Sequence, residues 1–372
     1  MPDAQPPLNI LHLTAGSDAG GLSRYVLNVS TALSRLGHRV TVAGDVGVWQ
    51  NQFDASGVNY FRIPIKQGAT GIWKSVSALK KWINTNGPVD VIHTHYRRAT
   101  WVARRLKSAA PAPVLYTLHL SHMNVTGMRR VLSDFGDFCH CASVDARDWA
   151  LAERLVTRDN TIVIPHGITL DDFPTGTDAT RADARAALGI PATARVCAYV
   201  GRLDTPKNVD WLLDIARQWK RPAPLVLLIA GDGPDRAEIE NQIQRDGLMS
   251  RVRLLGETDP RRVYHAADLL LLASSREGFS YVCAEAMACG LPVVRTHTSG
   301  TTETIIENVT GRSTPIDRAA FVACAIDTLH DQDACQRMGQ QASIVARQRF
   351  DIAQQIDQTL ALYQRIRTVR SA

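Results

Sequence analysis

The stretch Arg195-Val196-Cys197-Ala198-Tyr199-Val200-Gly201-Arg202-Leu203-Asp204-Thr205-Pro206-Lys207-Asn208 decides the fold. A short apolar run ends in glycine and turns into a helical-period segment, the opening of a strand–turn–helix unit. Upstream, the same alternation has already run through a full set. Asn9–Leu13, Arg39–Ala43, Asn59–Ile63, Asp90–His93, Val114–Leu118, Cys139–Val144 and Thr161–Ile164 read as strands. Between them lie helices such as Leu22–Leu36, stopped by Gly37, and Ile72–Asn84. Downstream it continues through Leu225–Ala230, Val252–Leu255, Leu269–Ala273 and Pro292–Arg295. Apolar strands alternating with helices predict parallel sheets covered on both faces, an α/β class. A restart halfway predicts two sheets, and so two Rossmann-like domains facing across a cleft. Asp171-Asp172-Phe173-Pro174-Thr175-Gly176-Thr177 is polar and turn-rich, fits neither period and marks the break. The expected division is residues 1–172, residues 173–350 and a final helix over 351–372.

Length agrees, because 372 residues exceed what one core usually serves. Met1 to Pro7 lacks the basic flank and apolar centre of a signal peptide, and no apolar run reaches the roughly 20 residues of a membrane span. Seven cysteines without a Cys-x-x-Cys pair predict reduced thiols and a cytoplasmic protein. In Cys139-His140-Cys141 the two thiols would share one buried face, a packing role rather than a metal site. The net charge of +6 is uneven: residues 1–172 carry +5 and the remainder +1. The excess gathers in Lys74, Lys80 and Lys81 beside Trp73 and Trp82, and in Arg97, Arg98, Arg104, Arg105 and Lys107 around Trp101. Basic residues among tryptophans suit anionic lipid at the inner face of a membrane, the alternative being a solvated face with snorkelling stems. No nucleic-acid motif accompanies the charge.

Ligands of open parallel sheets bind beyond the carboxyl ends of strands. Gly20 and Gly21 lead from the first strand into a helix whose free N–H groups can receive an anion, at a spacing other than Gly-x-Gly-x-x-Gly. His119 follows the fifth strand as a hydrogen-bonding or proton-handling group. His93 and His95 share a strand face; packing or pocket lining is the favoured reading over metal ligation, for want of a third ligand at recognisable spacing. Arg202 and Lys207 place two cations at a strand-to-helix junction, suited to a diphosphate. Glu277 lies in the loop before a helix expected to begin near Phe279, with Glu285 two turns along it. Carboxylates accept from hydroxyls, so one can grip a sugar and the other a ribose diol. Gly278, Phe279 and Ser280 are read as an exposed loop offering backbone N–H groups.

Taken together, these residues resemble the family 4 glycosyltransferases of the GT-B fold. The likeness rests on Gly20-Gly21, His119, Ile164-Pro165-His166-Gly167-Ile168, Gly201-Arg202-Leu203 with Lys207, and Gly231-Asp232-Gly233-Pro234. Above all it rests on Glu277-Gly278-Phe279-Ser280 followed by Glu285-Ala286-Met287-Ala288-Cys289-Gly290-Leu291-Pro292-Val293-Val294. The resemblance implies a metal-independent, retaining transferase that needs no cofactor. It would move a hexose from a nucleotide-sugar donor to a sugar, lipid-linked or small-molecule hydroxyl acceptor, in work such as cell-surface glycan assembly. It implies Arg202 and Lys207 on the diphosphate, Glu285 on the ribose, Glu277 on the transferred sugar and His119 near its reacting face. Gly20 and Gly21 would lie against the diphosphate or acceptor, and the final helix would return to the first domain. His166 and Ser280 stand where the family commonly has asparagine and glycine, and the segment Arg295 to Glu303 is less glycine-rich than usual.

Rival readings are a nucleotide-sugar epimerase or a phosphorylase on the same fold, and an NAD-dependent oxidoreductase, whose glycine fingerprint is missing. A binding protein that kept the donor site is the non-catalytic alternative. The set Arg202, Lys207, Glu277 and Glu285 argues for the transferase.

Overall fold

A computed structural model of the chain describes residues 6–18, 20–131 and 133–371. The extreme amino terminus, read above for a signal peptide, and Ala19 of the glycine loop lie outside them. Among the described residues, thirteen strands form two sheets. The first holds β1 (Asn9–Gly16), β2 (Arg39–Asp45), β3 (Asn59–Arg62), β4 (Val91–Thr94), β5 (Val114–Leu118), β6 (Phe138–Cys141) and β7 (Thr161–Val163). The second holds β8 (Arg195–Val200), β9 (Leu225–Ala230), β10 (Val252–Gly256), β11 (Leu269–Leu272), β12 (Val293–Thr296) and β13 (Gly311–Thr314).

Strand order is β3-β2-β1-β4-β5-β6-β7 in one sheet and β10-β9-β8-β11-β12-β13 in the other, and neighbouring strands pair in parallel. The interior strands β9 and β11, Leu225–Ala230 and Leu269–Leu272, are buried at every position, as suits strands covered on both faces. Helix Gly21–Arg35 turns Tyr25, Val26, Val29 and Leu33 inward at helical spacing. It is capped by Leu36, and Gly37 follows in the left-handed region. The last strand, β13, has no counterpart among the expected strands: Gly311-Arg312-Ser313-Thr314 is too polar and short to stand out from a loop.

The chain divides into Met1–His166 with Ile352–Ala372, and Gly167–Asp351. The break therefore falls before the polar stretch, and hydrogen bonding explains why. Ile168 donates its N–H to Phe350 O at 2.8 Å, and Gly176 donates to Cys289 O at 2.9 Å. The Thr175 hydroxyl lies 2.8 Å from that of Ser343, and Phe173 is buried near Tyr264. A segment that looked like a linker is fastened throughout to the second unit. Helix Ile352–Ser371 packs in the first unit, where Tyr363 is buried with its hydroxyl 2.7 Å from His93 Nδ1. Among the described residues no helix is long and apolar enough to cross a membrane.

Candidate functional site

In each sheet the strand order reverses once, between β1 and β4 and between β8 and β11. A crevice opens beyond the carboxyl ends of the strands at such a reversal, the place where open α/β sheets take ligands. Gly20 and His95 follow β1 and β4; Arg202 with Lys207, and Ser274 with Glu277, follow β8 and β11.

The second switch point is tightly built. After β8, Thr205–Lys207 makes one 3-10 turn and Asn208 takes a left-handed conformation. Asn208 Nδ2 donates to Ala273 O at 2.8 Å, and the Ser275 N–H donates to Pro206 O at 2.8 Å. These bonds stitch the loop after β8 to the loop after β11. Lys207 Nζ consequently reaches Glu277 Oε1 at 2.5 Å, and Ser274 Oγ donates to the same oxygen at 2.7 Å. Arg202, 61% exposed, holds Asp204 at 3.2 Å and points its remaining donors outward. Glu285 is 1% exposed and accepts the Tyr264 hydroxyl at 2.7 Å.

Two expectations need correction. The helix carrying Glu285 spans Tyr281–Ala288, starting two residues later than expected, so Glu285 sits one turn in rather than two. Nor is the preceding loop exposed: Phe279 and Ser280 are buried, the Phe279 ring packing against Phe350 at 5.3 Å. Burying the Phe279 ring against Phe350 is favourable and pins the loop. Gly278 is only half-buried. Ser274, Tyr264 and Asn208 were missed; as single polar residues at strand ends or on helices, they carry no pattern that a sequence reveals.

At the first switch point, Gly20 caps helix Gly21–Arg35 without any side-chain cap, so the amide groups of its first turn face outward. His119 lies beside a cluster that sequence spacing did not reveal. His12, His93, His95, His140 and His166 are all buried in this unit. His12 Nδ1 lies 2.8 Å from His95 Nε2, and His95 Nδ1 lies 3.2 Å from His119 Nε2. Thr117 Oγ1 lies 2.6 Å from His93 Nε2 and 3.1 Å from His140 Nδ1. Burial disfavours the imidazolium and holds His12 and His119 down to about 3 and His140 to about 4. The rings are therefore neutral at pH 7. His12, His93 and His95 offer nitrogens within 4.8 Å of one another. That geometry does not suit tetrahedral zinc: the facing nitrogens of His12 and His95, 2.8 Å apart, are closer than the about 3.3 Å between two of its ligands. Both His93 nitrogens are also engaged already, by Tyr363 and Thr117. Cys139 and Cys141 have their sulfurs 3.9 Å apart on one buried face, with His140 turned the other way into the cluster.

A cavity of about 260 Å³ opens at the opposite, amino-terminal ends of β8 and β11, lined by Arg195, Asp268, Gln332 and Cys335 among others. None of the candidate site residues except Tyr264 touches it.

Two parallel sheets, each reversing its strand order once and covered by helices, are the α/β architecture of the GT-B fold. Residues 19–172 match the family described as Glycosyltransferase Family 4, and residues 180–344 match Glycosyl transferases group 1. The chain belongs to the family 4 glycosyltransferases. It is 26% identical to a D-inositol 3-phosphate glycosyltransferase of Corynebacterium aurimucosum, over 95% of this chain and 93% of that protein. Among solved structures it resembles HepE (Alr3699) of Anabaena in complex with UDP-glucose, with TM-score 0.80 and 25% identity over 95% of this chain and 99% of the other. Sucrose-phosphate synthase of Thermosynechococcus elongatus shares the fold at TM-score 0.82 and 24% identity, over 97% and 100% of the two chains.

Proposed function

We propose that this glycosyltransferase moves a hexose from a nucleoside-diphosphate sugar to a hydroxyl acceptor, with retention at the anomeric carbon and without a metal ion or other cofactor. The observation that carries the reading is the Lys207–Glu277 pair at the β8/β11 switch point, with Glu285 one helix turn beyond. Breaking the glycosidic bond to a diphosphate places developing negative charge on the leaving oxygen. Lys207 and the outward donors of Arg202 can stabilise that charge more in the transition state than in the ground state. Glu277 would take the sugar hydroxyls and Glu285 the ribose. Both carboxylates are engaged, Glu277 by Lys207 and Ser274, Glu285 by Tyr264. We therefore assign neither the role of a nucleophile in a double displacement. The departing phosphate is the base that accepts the acceptor's proton during front-face attack. In the first unit, His119 would offer a neutral imidazole to the sugar near its reacting face, and the uncapped amides after Gly20 would receive anionic or hydroxylic groups. HepE, crystallised with UDP-glucose, makes uridine the first base to try.

A cytoplasmic enzyme working at the inner membrane face fits the basic patch. Arg105 stacks over Trp101 at 4.2 Å and reaches Trp73 at 5.4 Å, while Trp73 is 61% exposed beside exposed Lys74. Binding to anionic vesicles at low salt, lost at high salt, is the expected result; indifference to vesicle charge removes the membrane from the account.

The transferase reading is tested by thermal shift against UDP-, GDP- and ADP-sugars with and without EDTA, followed by NMR of the product anomer. A shift with one base, unaffected by EDTA and absent in Glu285→Ala, is expected, as is a product of unchanged anomeric configuration. A response to NAD(H) alone, or an inverted product, would overturn it.

A further inference from the structure

Arg295, on β12, is the largest side chain buried to below 2% in the described structure. Its guanidinium donates through Nη1 to Gly300 O at 3.2 Å and Thr304 Oγ1 at 3.0 Å. Nη2 donates to Thr298 Oγ1 at 2.8 Å and Ser299 O at 3.2 Å. Every acceptor is neutral, and Nε has none. Among the described residues no carboxylate lies within ion-pair distance of it. A buried ammonium could shed its proton, but an arginine cannot, so the charge stays. A buried charge without a counter-charge costs free energy that hydrogen bonds to neutral dipoles only partly offset.

The position of this charge suggests what balances it. The loop it holds, Thr298–Gly300, lies directly on the donor loop: a Cβ on Gly300 would come within 2.6 Å of Gly278 O and 3.2 Å of Phe279 Cα. Thr296, the next residue on β12, donates to Ser274 O at 2.5 Å. Ser274 in turn holds Glu277, and Glu277 holds Lys207. Of the cations that follow β8, Lys207 is paired with Glu277 and Arg202 with Asp204. Arg295, by contrast, is buried and has no ion-pair partner among the described residues.

We propose that Arg295 is a third cation of the donor site, a positioning residue whose counter-charge is the diphosphate of the bound nucleotide. The inference rests on the second unit being the donor site. Arg295 stays beneath the loop and acts through its field and through the loop carbonyls it fixes, without touching the ligand. Its positive charge disfavours the empty state and favours the occupied one. A residue that merely clamped the loop would instead stabilise both.

The test uses the full chain as wild type, Arg295→Met and Arg295→Lys. Thermal midpoints are measured without ligand, and affinities for UDP, GDP and ADP are compared with those for uridine, guanosine and adenosine. For the base that wild type binds, Arg295→Met should lose about tenfold or more in diphosphate affinity. Nucleoside affinity should stay within about twofold, and the ligand-free midpoint should stay level or rise. Arg295→Lys should keep the diphosphate preference within about threefold. Diphosphate and nucleoside affinities that hold or fall together in Arg295→Met, or a lowered ligand-free midpoint with the diphosphate preference intact, would show a loop clamp and overturn the proposal. If Arg295→Met does not fold, the neutral donor variant Arg295→Gln decides: diphosphate preference lost with nucleoside affinity unchanged supports the charge, preference kept refutes it. Failure of the wild type to bind any of the three diphosphates is a different result; it removes the donor-site reading, and this proposal with it.

Discussion

Lys207 and Glu277 are bonded to each other, so each satisfies the other's charge. Removing the cation by Lys207→Met leaves Glu277, 12% exposed, with only the Ser274 hydroxyl. The expected consequence is a loss of about 1–3 kcal/mol in stability together with the loss of diphosphate-induced stabilisation. A thermal melt with and without nucleotide checks both; an unchanged response to nucleotide would take Lys207 out of the site. Tyr264→Phe isolates the second carboxylate. It removes the donor on buried Glu285 and should lower stability by about 1–2 kcal/mol in denaturant titration, because the charge loses a bond that water does not replace. At this scale Arg202, Lys207, Glu277 and Glu285 could be singled out in the sequence as candidates, by their place after apolar runs and by the family motif they fall in. Arg295 and Tyr264 were not: one reads as a strand residue and the other as a helix residue until the fold shows what surrounds them.

At the scale of elements, the ends of β8 and β9 meet so closely that one residue decides whether they can. Gly231 has φ +129°, and a Cβ there would lie 1.9 Å from Gly201 O. Gly231→Ala should therefore cost about 3 kcal/mol or more and disturb the loop that carries Arg202. The readout is a lower midpoint with a larger fall in donor affinity than the midpoint alone explains. Helix Ile352–Ser371 makes a separate point. Tyr363→Phe deletes one hydrogen bond to His93 in a fully buried setting and should cost about 1 kcal/mol, seen as faster amide exchange in β4 and β5. Most strands were located within one or two residues by their apolar runs. β1 and β6 each end three residues from the expected limit, and β13, not expected at all, is an edge strand whose pairing with β12 supplies the order that its own residues do not.

For the whole molecule, the buried histidines make the two units unequal in acid. His12, His119 and His140 have folded values near 3 to 4 against about 6.5 unfolded, and His93, His95 and His166 are also lowered by burial. Between those values the unfolded chain binds protons that the folded one refuses, so stability is complete above about pH 7. It falls as pH drops from about 6.5 towards 4, by up to about 1.4 kcal/mol per pH unit for each such histidine. The second unit has no buried histidine among its described residues; His265, His297 and His330 are partly or fully exposed. Hydrogen exchange at pH 5 should show the first unit opening before the second, and the reverse order would contradict the cluster's neutrality. The sequence by itself determined the α/β class, the two sheets and the charged residues of the donor loops, because periodicity and glycine-bounded turns are local properties. Only the tertiary structure decided where the chain divides, that five buried histidines cluster with His119 beside them, and that Arg295 is buried without an ion-pair partner among the described residues. Burial and pairing arise between residues far apart in the chain, and no local pattern encodes them.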